Sequence, residues 1–193
     1  MRIVAGAAKG RQLRVPAKGT RPTSEKVREA VFSRLDARGF VDGTTVLDLF
    51  AGSGALALEA LSRGAARAVA VDSSSQAVAA IKDNARAVGL ALSVIRAPVD
   101  AYLAYAPDLQ ADVAFLDPPY AFPDRDLAVI LHALLPVLVD DAMVVVERSS
   151  RSAQPAFPDD LLLQDVRQFG DTTVYMAQVT PHMTTASPLE TVG

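Results

Sequence analysis

The sequence predicts an α/β fold with a seven-stranded, mostly parallel sheet, a C-terminal antiparallel hairpin, and a small N-terminal extension made of a β-hairpin and a helix. From residue 45 onward, short apolar runs alternate with helical periodicity, which is typical of βαβ units. Two apolar runs near the C-terminus are separated by Gly170-Asp171, as in a hairpin. Residues 1–38 carry ten basic and three acidic side chains, which sets this segment apart from the rest.

The N-terminal extension is predicted from local signals. Residues 1–16 indicate two short strands around a turn at residues 8–10. A helix is expected to begin at Thr23 or Ser24, both of which are good N-cap residues, and to end at Gly39.

The parallel part of the sheet is predicted from apolar runs that are bounded by helical segments. These five strands are expected at 45–50, 67–72, 91–96, 112–117 and 142–148. Helices are expected after the first four of them, at 54–63, 74–88, 100–105 and 125–138. The hairpin strands are expected at 161–169 and 172–179.

Composition excludes several classes of protein. No apolar run approaches the roughly 20 residues of a membrane span, and the N-terminus lacks the apolar core of a signal peptide. There are no cysteines and two isolated histidines, so a disulfide framework or a metal cluster is not expected. We therefore expect a cytoplasmic, metal-free protein.

Charge is distributed unevenly along the chain. Residues 1–38 have a net charge of +7 and the remainder −10, which together give −3. This asymmetry indicates a basic extension at 1–38 that faces a polyanion such as RNA, on an acidic body at 39–180; a solvated charged arm is the alternative. Residues 181–193 are expected to form a disordered tail.

A glycine turn follows the first parallel strand, in the stretch DLFAGSG that runs from Asp48 to Gly54. Gly52 and Gly54 permit a sharp turn and allow backbone amides to approach a ligand. Asp72 ends the next strand, 20 residues beyond Gly52, where nucleoside-binding folds place an acid that reaches ribose hydroxyls.

Two cofactors fit this turn, and a turn without a ligand is a further alternative. The same residues satisfy the dinucleotide fingerprint G-x-G-x-x-G/A. Asp48 argues against a pyrophosphate, because a neighbouring carboxylate would repel it. S-adenosylmethionine carries an ammonium and a sulfonium, both of which a carboxylate attracts, and the pattern D-x-F-x-G-x-G resembles the first motif of class I S-adenosylmethionine methyltransferases.

The tetrapeptide DPPY, from Asp117 to Tyr120, ends the fourth strand, because proline cannot donate to a sheet ladder. The Asp117 carboxylate and a carbonyl of residues 117–119 can accept both N–H bonds of an aromatic amine and direct its lone pair at a methyl donor. Tyr120 offers a face on which a flipped-out base can stack. DPPY resembles the signature of methyltransferases that act on amino groups of adenine, cytosine or guanine.

Several segments together resemble the RsmD-type family, whose members methylate the N2 amine of one guanine in 16S ribosomal RNA. They are RIVAGAAKGRQLRVP, GTRPTSEKVREAVFSRL, VLDLFAGSGALALEALSRGA, DPPY, VVVERS and GDTTVYM, and the likeness extends over residues 2–179. The resemblance implies a Rossmann-like class I methyltransferase fold, S-adenosylmethionine as cofactor without a metal, and 16S rRNA within a small-subunit particle as partner.

The resemblance also implies a role for individual positions. Catalysis would fall to Asp117, Pro118 and Tyr120. The cofactor would be bound by Asp48, Phe50, Gly52, Gly54, Asp72, Pro98, Val99 and Asp100. RNA would be positioned by Arg11, Arg21, Thr23 and Arg28.

Alternative functions stay open from the sequence. DPPY does not identify the base, so an adenine-N6 methyltransferase acting on RNA or DNA is the nearest rival. An NAD-dependent oxidoreductase and a non-catalytic RNA-binding assembly factor are the other candidates. We expect a monomer that does not associate with membranes.

Overall fold

The structure, a computed structural model, describes residues 1–15, 24–105 and 109–181. Its helices are α1 (Glu25–Ala37), α2 (Ala55–Ser62), α3 (Ser75–Val88), α4 (Val99–Ala104) and α5 (Asp124–Leu134), followed by a 3₁₀ turn at Leu135–Val137. Its strands are β1 (Thr45–Leu49), β2 (Arg67–Asp72), β3 (Ser93–Arg96), β4 (Ala111–Leu116), β5 (Leu138–Ser149), β6 (Leu161–Phe169) and β7 (Thr172–Val179).

The seven strands form one sheet in the order β3-β2-β1-β4-β5-β7-β6. Strands β1 to β5 are mutually parallel, and β7 pairs antiparallel with both β5 and β6. The order reverses between β1 and β4, so the carboxyl ends of these two strands border the crevice in which open α/β sheets bind ligands. The predicted sheet and C-terminal hairpin are thereby confirmed.

Apolar side chains cover both faces of the sheet. On one face α4 and α5 pack over alternate strand residues such as Leu47, Leu116 and Val146. On the other face α1, α2 and α3 pack over Val46, Phe115 and their neighbours. Burial on both faces is usual for a parallel sheet with crossover helices.

The N-terminal segment folds onto this second layer. Ile3, Ala8 and Leu13 pack against Leu58 of α2 and Ala85 of α3. The predicted pair of strands is reduced to one antiparallel bridge, Arg2↔Gln12, with backbone bonds on either side of it. The tight turn between them brings Gly6 against the carbonyl of Ser62, where a Cβ would lie 1.7 Å from that oxygen.

Some boundaries differ from the predicted ones. Ser24 is the N-cap of α1, and its hydroxyl accepts from the backbone of Val27. The helix expected through residue 138 ends at Leu134, because Pro136 cannot continue an α-helix, and β5 therefore begins at Leu138. The tail expected to be disordered lies, apart from Pro181, outside the described residues.

Candidate active site

A cavity of about 590 Å³ opens at the carboxyl edge of the sheet. Its volume is within the roughly 300–1,000 Å³ range of small-molecule sites. Five predicted cofactor residues line it, together with all three predicted catalytic ones: Phe50, Asp72, Pro98, Val99, Asp100, Asp117, Pro118 and Tyr120. The glycine-turn strand and the DPPY strand therefore end at one shared crevice.

The sheet register explains why these residues meet. Leu49 of β1 pairs with Val71 on one side and with Leu116 on the other. Phe50 and Asp117 directly follow β1 and β4, and Asp72 is the last residue of β2, so all three lie at the same level of the sheet edge. Parallel strands bring their carboxyl ends to one edge, so residues that are distant in the sequence become neighbours.

The glycine turn contains residues in the left-handed backbone conformation. Phe50 has φ 62°, an uncommon conformation for a bulky residue, and its ring packs edge-on against Phe122 at a centroid distance of 5.1 Å. Gly54 has φ 75° and begins α2, where a Cβ would come within 3.0 Å of Ile81. Neither Gly52 nor Gly54 is among the residues that line the 590 Å³ cavity; they shape the turn behind Phe50.

Asp72 connects this turn to α3. One carboxylate oxygen accepts from the amide of Gly52 at 2.9 Å, and the other accepts from the amide of Ser74 at 2.8 Å. A carboxylate has about four lone-pair positions, so capacity for hydroxyl donors is left on both oxygens. Asp72 thus fixes the turn and faces the cavity at the same time.

Asp48 does not lie on the cavity wall, contrary to the sequence prediction. It is 1% exposed, and its Oδ2 accepts from the amide of Ala57 at 3.1 Å. Burial raises the pKa of Asp48 from 3.8 to about 7; the bond from Ala57 opposes this shift and the charge of Asp72 adds to it. With its pKa raised towards neutrality, Asp48 carries only part of its charge at pH 7, so its charge distinguishes a pyrophosphate from an ammonium less sharply than the sequence suggested.

The DPPY loop presents its side chains on the cavity surface. Tyr120 is 55% exposed, which leaves its ring available for stacking. The carbonyl of Pro119 accepts from the amide of Phe122 at 2.8 Å and so closes the loop. The carbonyl of Pro118 is therefore a better candidate than that of Pro119 for a second acceptor beside the Asp117 carboxylate.

Arg148, which the sequence reasoning passed over, ties the end of β5 to this loop. Its Nη2 donates to the carbonyl of Phe122 at 3.0 Å and to the carboxylate of Asp124 at 2.6 Å. The Arg148 side chain is 4% exposed, and within the described residues its Nε has no hydrogen-bond partner. Desolvation strengthens such charge-assisted bonds, so Arg148 limits the movement of the loop that follows Tyr120.

Other wall residues were also missed by the sequence prediction. Ser73 and Ser74 follow Asp72, and α5 contributes Asp126, Val129 and Ile130. Val129 is 59% exposed although it is apolar, which indicates a wall suited to a partly apolar ligand. Ser73 and Ser74 come directly after β2, which is the signal that would have identified them, whereas the α5 residues are separated from β4 by the DPPY loop.

Of the predicted RNA residues, Arg28 is contradicted by the structure. Its side chain is fully buried, and its Nε donates to Glu59 at 3.2 Å. Glu59 also accepts from the amides of Val4 and Ala5 and from Arg63. Arg28 therefore anchors the N-terminal segment and cannot reach a phosphate.

The remaining RNA predictions fall into two groups. Arg11 is exposed, as are Lys9, Arg14 and Lys26. Arg21 and Thr23 lie outside the described residues.

None of the described helices is both long and apolar enough to span a membrane. Across the same part of the chain, no group of three or more His, Asp or Glu side chains is arranged to hold a metal ion.

The sheet order, the antiparallel β7 and the cavity at the ends of β1, β2 and β4 define the Rossmann-like fold of class I methyltransferases. A solved structure of a hypothetical protein from Thermus thermophilus superimposes with a TM-score of 0.80 at 34% identity, covering 93% of this chain and 99% of that one. The fold class is therefore confirmed.

Comparison of sequences identifies the family. A family model described as "Conserved hypothetical protein 95" matches residues 1–178. The protein YlbH of Bacillus subtilis (strain 168) is 34% identical over 179 residues, which cover 90% of this chain and 96% of that protein. "Ribosomal RNA small subunit methyltransferase D" of Escherichia coli (strain K12) is 36% identical over 161 residues, covering 82% and 79%. The chain belongs to this family, the RsmD-type family, as its motifs predicted.

Proposed function

We propose that this chain transfers a methyl group from S-adenosylmethionine to the exocyclic N2 amine of a guanine in 16S rRNA of the small ribosomal subunit. The observation that carries the proposal is the register that brings Phe50, Asp72 and Asp117 to one cavity. The name of the Escherichia coli relative, a small-subunit rRNA methyltransferase, supports the substrate.

The cavity residues divide the work of binding the cofactor. Asp72 accepts hydroxyls of the ribose, while Pro98, Val99 and Asp100, at the start of α4, border the adenine. Phe50 contacts the cofactor from the turn after β1. When bound, S-adenosylmethionine supplies an electrophilic methyl group. The mixture of apolar and acidic wall residues suits a ligand with an aromatic base, hydroxyls and positive charge.

The DPPY loop orients the amine. Asp117 and the carbonyl of Pro118 accept its two N–H bonds, so the nitrogen lone pair is directed into the cavity. Tyr120 stacks on the base and holds its plane, a contact worth roughly 1–3 kcal/mol per base. Orientation of this kind can account for a large share of a rate enhancement, because two reactants are held in a reactive geometry.

RNA positioning falls to exposed basic side chains of the first 26 residues. In the described part of the segment these are Lys9, Arg11, Arg14 and Lys26, together with Arg2, which pairs with Glu25. Deleting the segment would leave the buried Glu59 without the amides of Val4 and Ala5. Charge reversal at Arg11 and Arg14 is therefore the cleaner way to weaken phosphate contacts and reduce the salt dependence of binding.

The test is transfer of a tritiated methyl group onto unmodified 30S subunits and naked 16S rRNA, with the modified base mapped by mass spectrometry. Methylation at guanine N2 supports the proposal, whereas a product mapped to adenine N6 contradicts it.

Asp117→Ala should lower turnover by roughly 100-fold or more, because the amine loses its main acceptor. Calorimetry should show nearly unchanged binding of S-adenosylmethionine. Asp140→Ala, at the opposite end of β5, is the matched control and should retain activity. Wild-type turnover in Asp117→Ala would refute the assigned chemistry.

A further inference from the structure

A second, smaller cavity of about 80 Å³ lies on the other side of the DPPY loop. It shares Asp117, Pro118 and Tyr120 with the larger one. Its other walls come from the start of α1, the end of β5 and the β6–β7 hairpin: Ser24, Val27, Glu147, Arg148, Ser149, Phe169 and Thr172. Because it is far smaller than the 590 Å³ cavity, this space suits a small part of a ligand, such as the edge of a base.

The two cavities lie towards different faces of the sheet. Val99 and Ile130 of the large cavity belong to the core under α4 and α5. Val27 of the small cavity belongs to the core under α1. Asp117 lines both cavities, so a group bound in the small cavity would reach the large cavity beside the Asp117 side chain.

The register places a second carboxylate beside Asp117. Leu116 of β4 pairs with Val146 of β5, so Asp117 and Glu147 follow at the same level on adjacent strands. Side chains alternate along a strand, and Phe115 and Val145, two residues earlier, both pack towards α1. Glu147 therefore lies on the same side as Asp117, and both line the small cavity.

Two adjacent carboxylates match the hydrogen-bonding edge of guanine. Guanine presents N1–H and the N2 amino group side by side, all as donors, and carboxylate oxygens are the acceptors that such donors need. Adenine presents N1 as an acceptor next to its amine, which would face the lone pairs of a carboxylate. 2-Aminopurine has the same mismatch at N1 although it keeps the N2 amine.

We propose that the small cavity receives the reacting edge of the target guanine and that Glu147 accepts its N1–H while Asp117 accepts from N2. This inference rests on the proposed function, and it makes Glu147 the residue that determines the base. Discrimination of about 10- to 100-fold is expected from one such side-chain–base contact.

The experiment uses 30S particles whose 16S rRNA carries guanosine or 2-aminopurine at the mapped target position, introduced by splinted ligation. The wild-type enzyme should prefer guanosine in kcat/KM. Glu147→Gln can donate an amide hydrogen to N1 of 2-aminopurine, so its preference should fall by about 10-fold or more. The intrinsic reactivity of each base cancels when the preference of Glu147→Gln is compared with that of the wild-type enzyme.

Asp140→Asn, which removes a carboxylate from the opposite end of β5, should keep the wild-type preference. Thermal melting and S-adenosylmethionine binding should be alike in all three proteins. If Glu147→Gln keeps the wild-type preference while guanine N2 is still the product, the assignment of Glu147 fails and the proposed function stands. If wild-type product maps to adenine N6, both fail.

Discussion

Asp48→Asn should remove a pH dependence from the stability of this fold. Asp48 is buried beneath the glycine turn, and burial raises its pKa from 3.8 to about 7. The folded state favours the protonated form of Asp48. This preference stabilises the fold fully below about pH 4, and the stabilisation is lost as the pH rises towards about 7. At 1.36 kcal/mol per pKa unit, the contribution is at most about 4 kcal/mol.

Asparagine has the shape of the protonated acid and keeps an oxygen that can accept from the amide of Ala57. It brings no charge to desolvate. The free energy of unfolding of the variant, relative to wild type, should therefore rise by up to about 4 kcal/mol between roughly pH 4 and pH 8. Urea unfolding followed by circular dichroism across this pH range measures the difference.

Asp83→Asn is the control, since it removes an exposed carboxylate from α3. Its stability difference from wild type should vary little over the same range. If the difference between Asp48→Asn and wild type is equally independent of pH, Asp48 is not desolvated as its position implies, and the reasoning from burial is refuted.

Two further predictions concern the loop and the N-terminal segment. Arg148→Gln should lower kcat by roughly 10- to 100-fold with little change in cofactor affinity, because the loop after Tyr120 loses its charged anchor; Arg148→Lys should restore part of the rate, and an equal loss in both variants would contradict the anchoring role. Gly6→Ala should lower the free energy of unfolding by roughly 3 kcal/mol in urea titrations, because its Cβ would overlap the Ser62 carbonyl. Gly10→Ala, with no neighbour within 4 Å of the added Cβ, should cost about 1–2 kcal/mol for its positive φ alone, and equal losses would refute the steric argument.

The sheet could be predicted because its signals are local. Alternation of apolar runs with helical periodicity is readable without tertiary information, and Gly170-Asp171 marks the hairpin turn. The start of β5 was predicted too late, because the apolar stretch from Leu134 to Leu138 continues the apolar pattern of α5. Pro136 is the residue that ends the helix there.

The positions of individual charges were less predictable. Arg28 is on α1 and its partner Glu59 is on α2. No local sequence pattern connects the two helices, so the buried ion pair could not be predicted. Asp48 could have been foreseen. It belongs to β1, and a strand in the middle of a parallel sheet is covered on both faces.

The division of the site into two cavities explains why the DPPY motif has to follow β4. This strand lies between β1, which leads into the glycine turn, and β5, which ends at Glu147 and Arg148. In the proposed reaction, a loop at this point separates the cofactor on one face from the base on the other, and the methyl group crosses between them at Asp117. A displacement of the loop changes the alignment of both reactants at once, so its anchoring by Arg148 and its closure by Pro119 and Phe122 are requirements of the chemistry as well as of the fold.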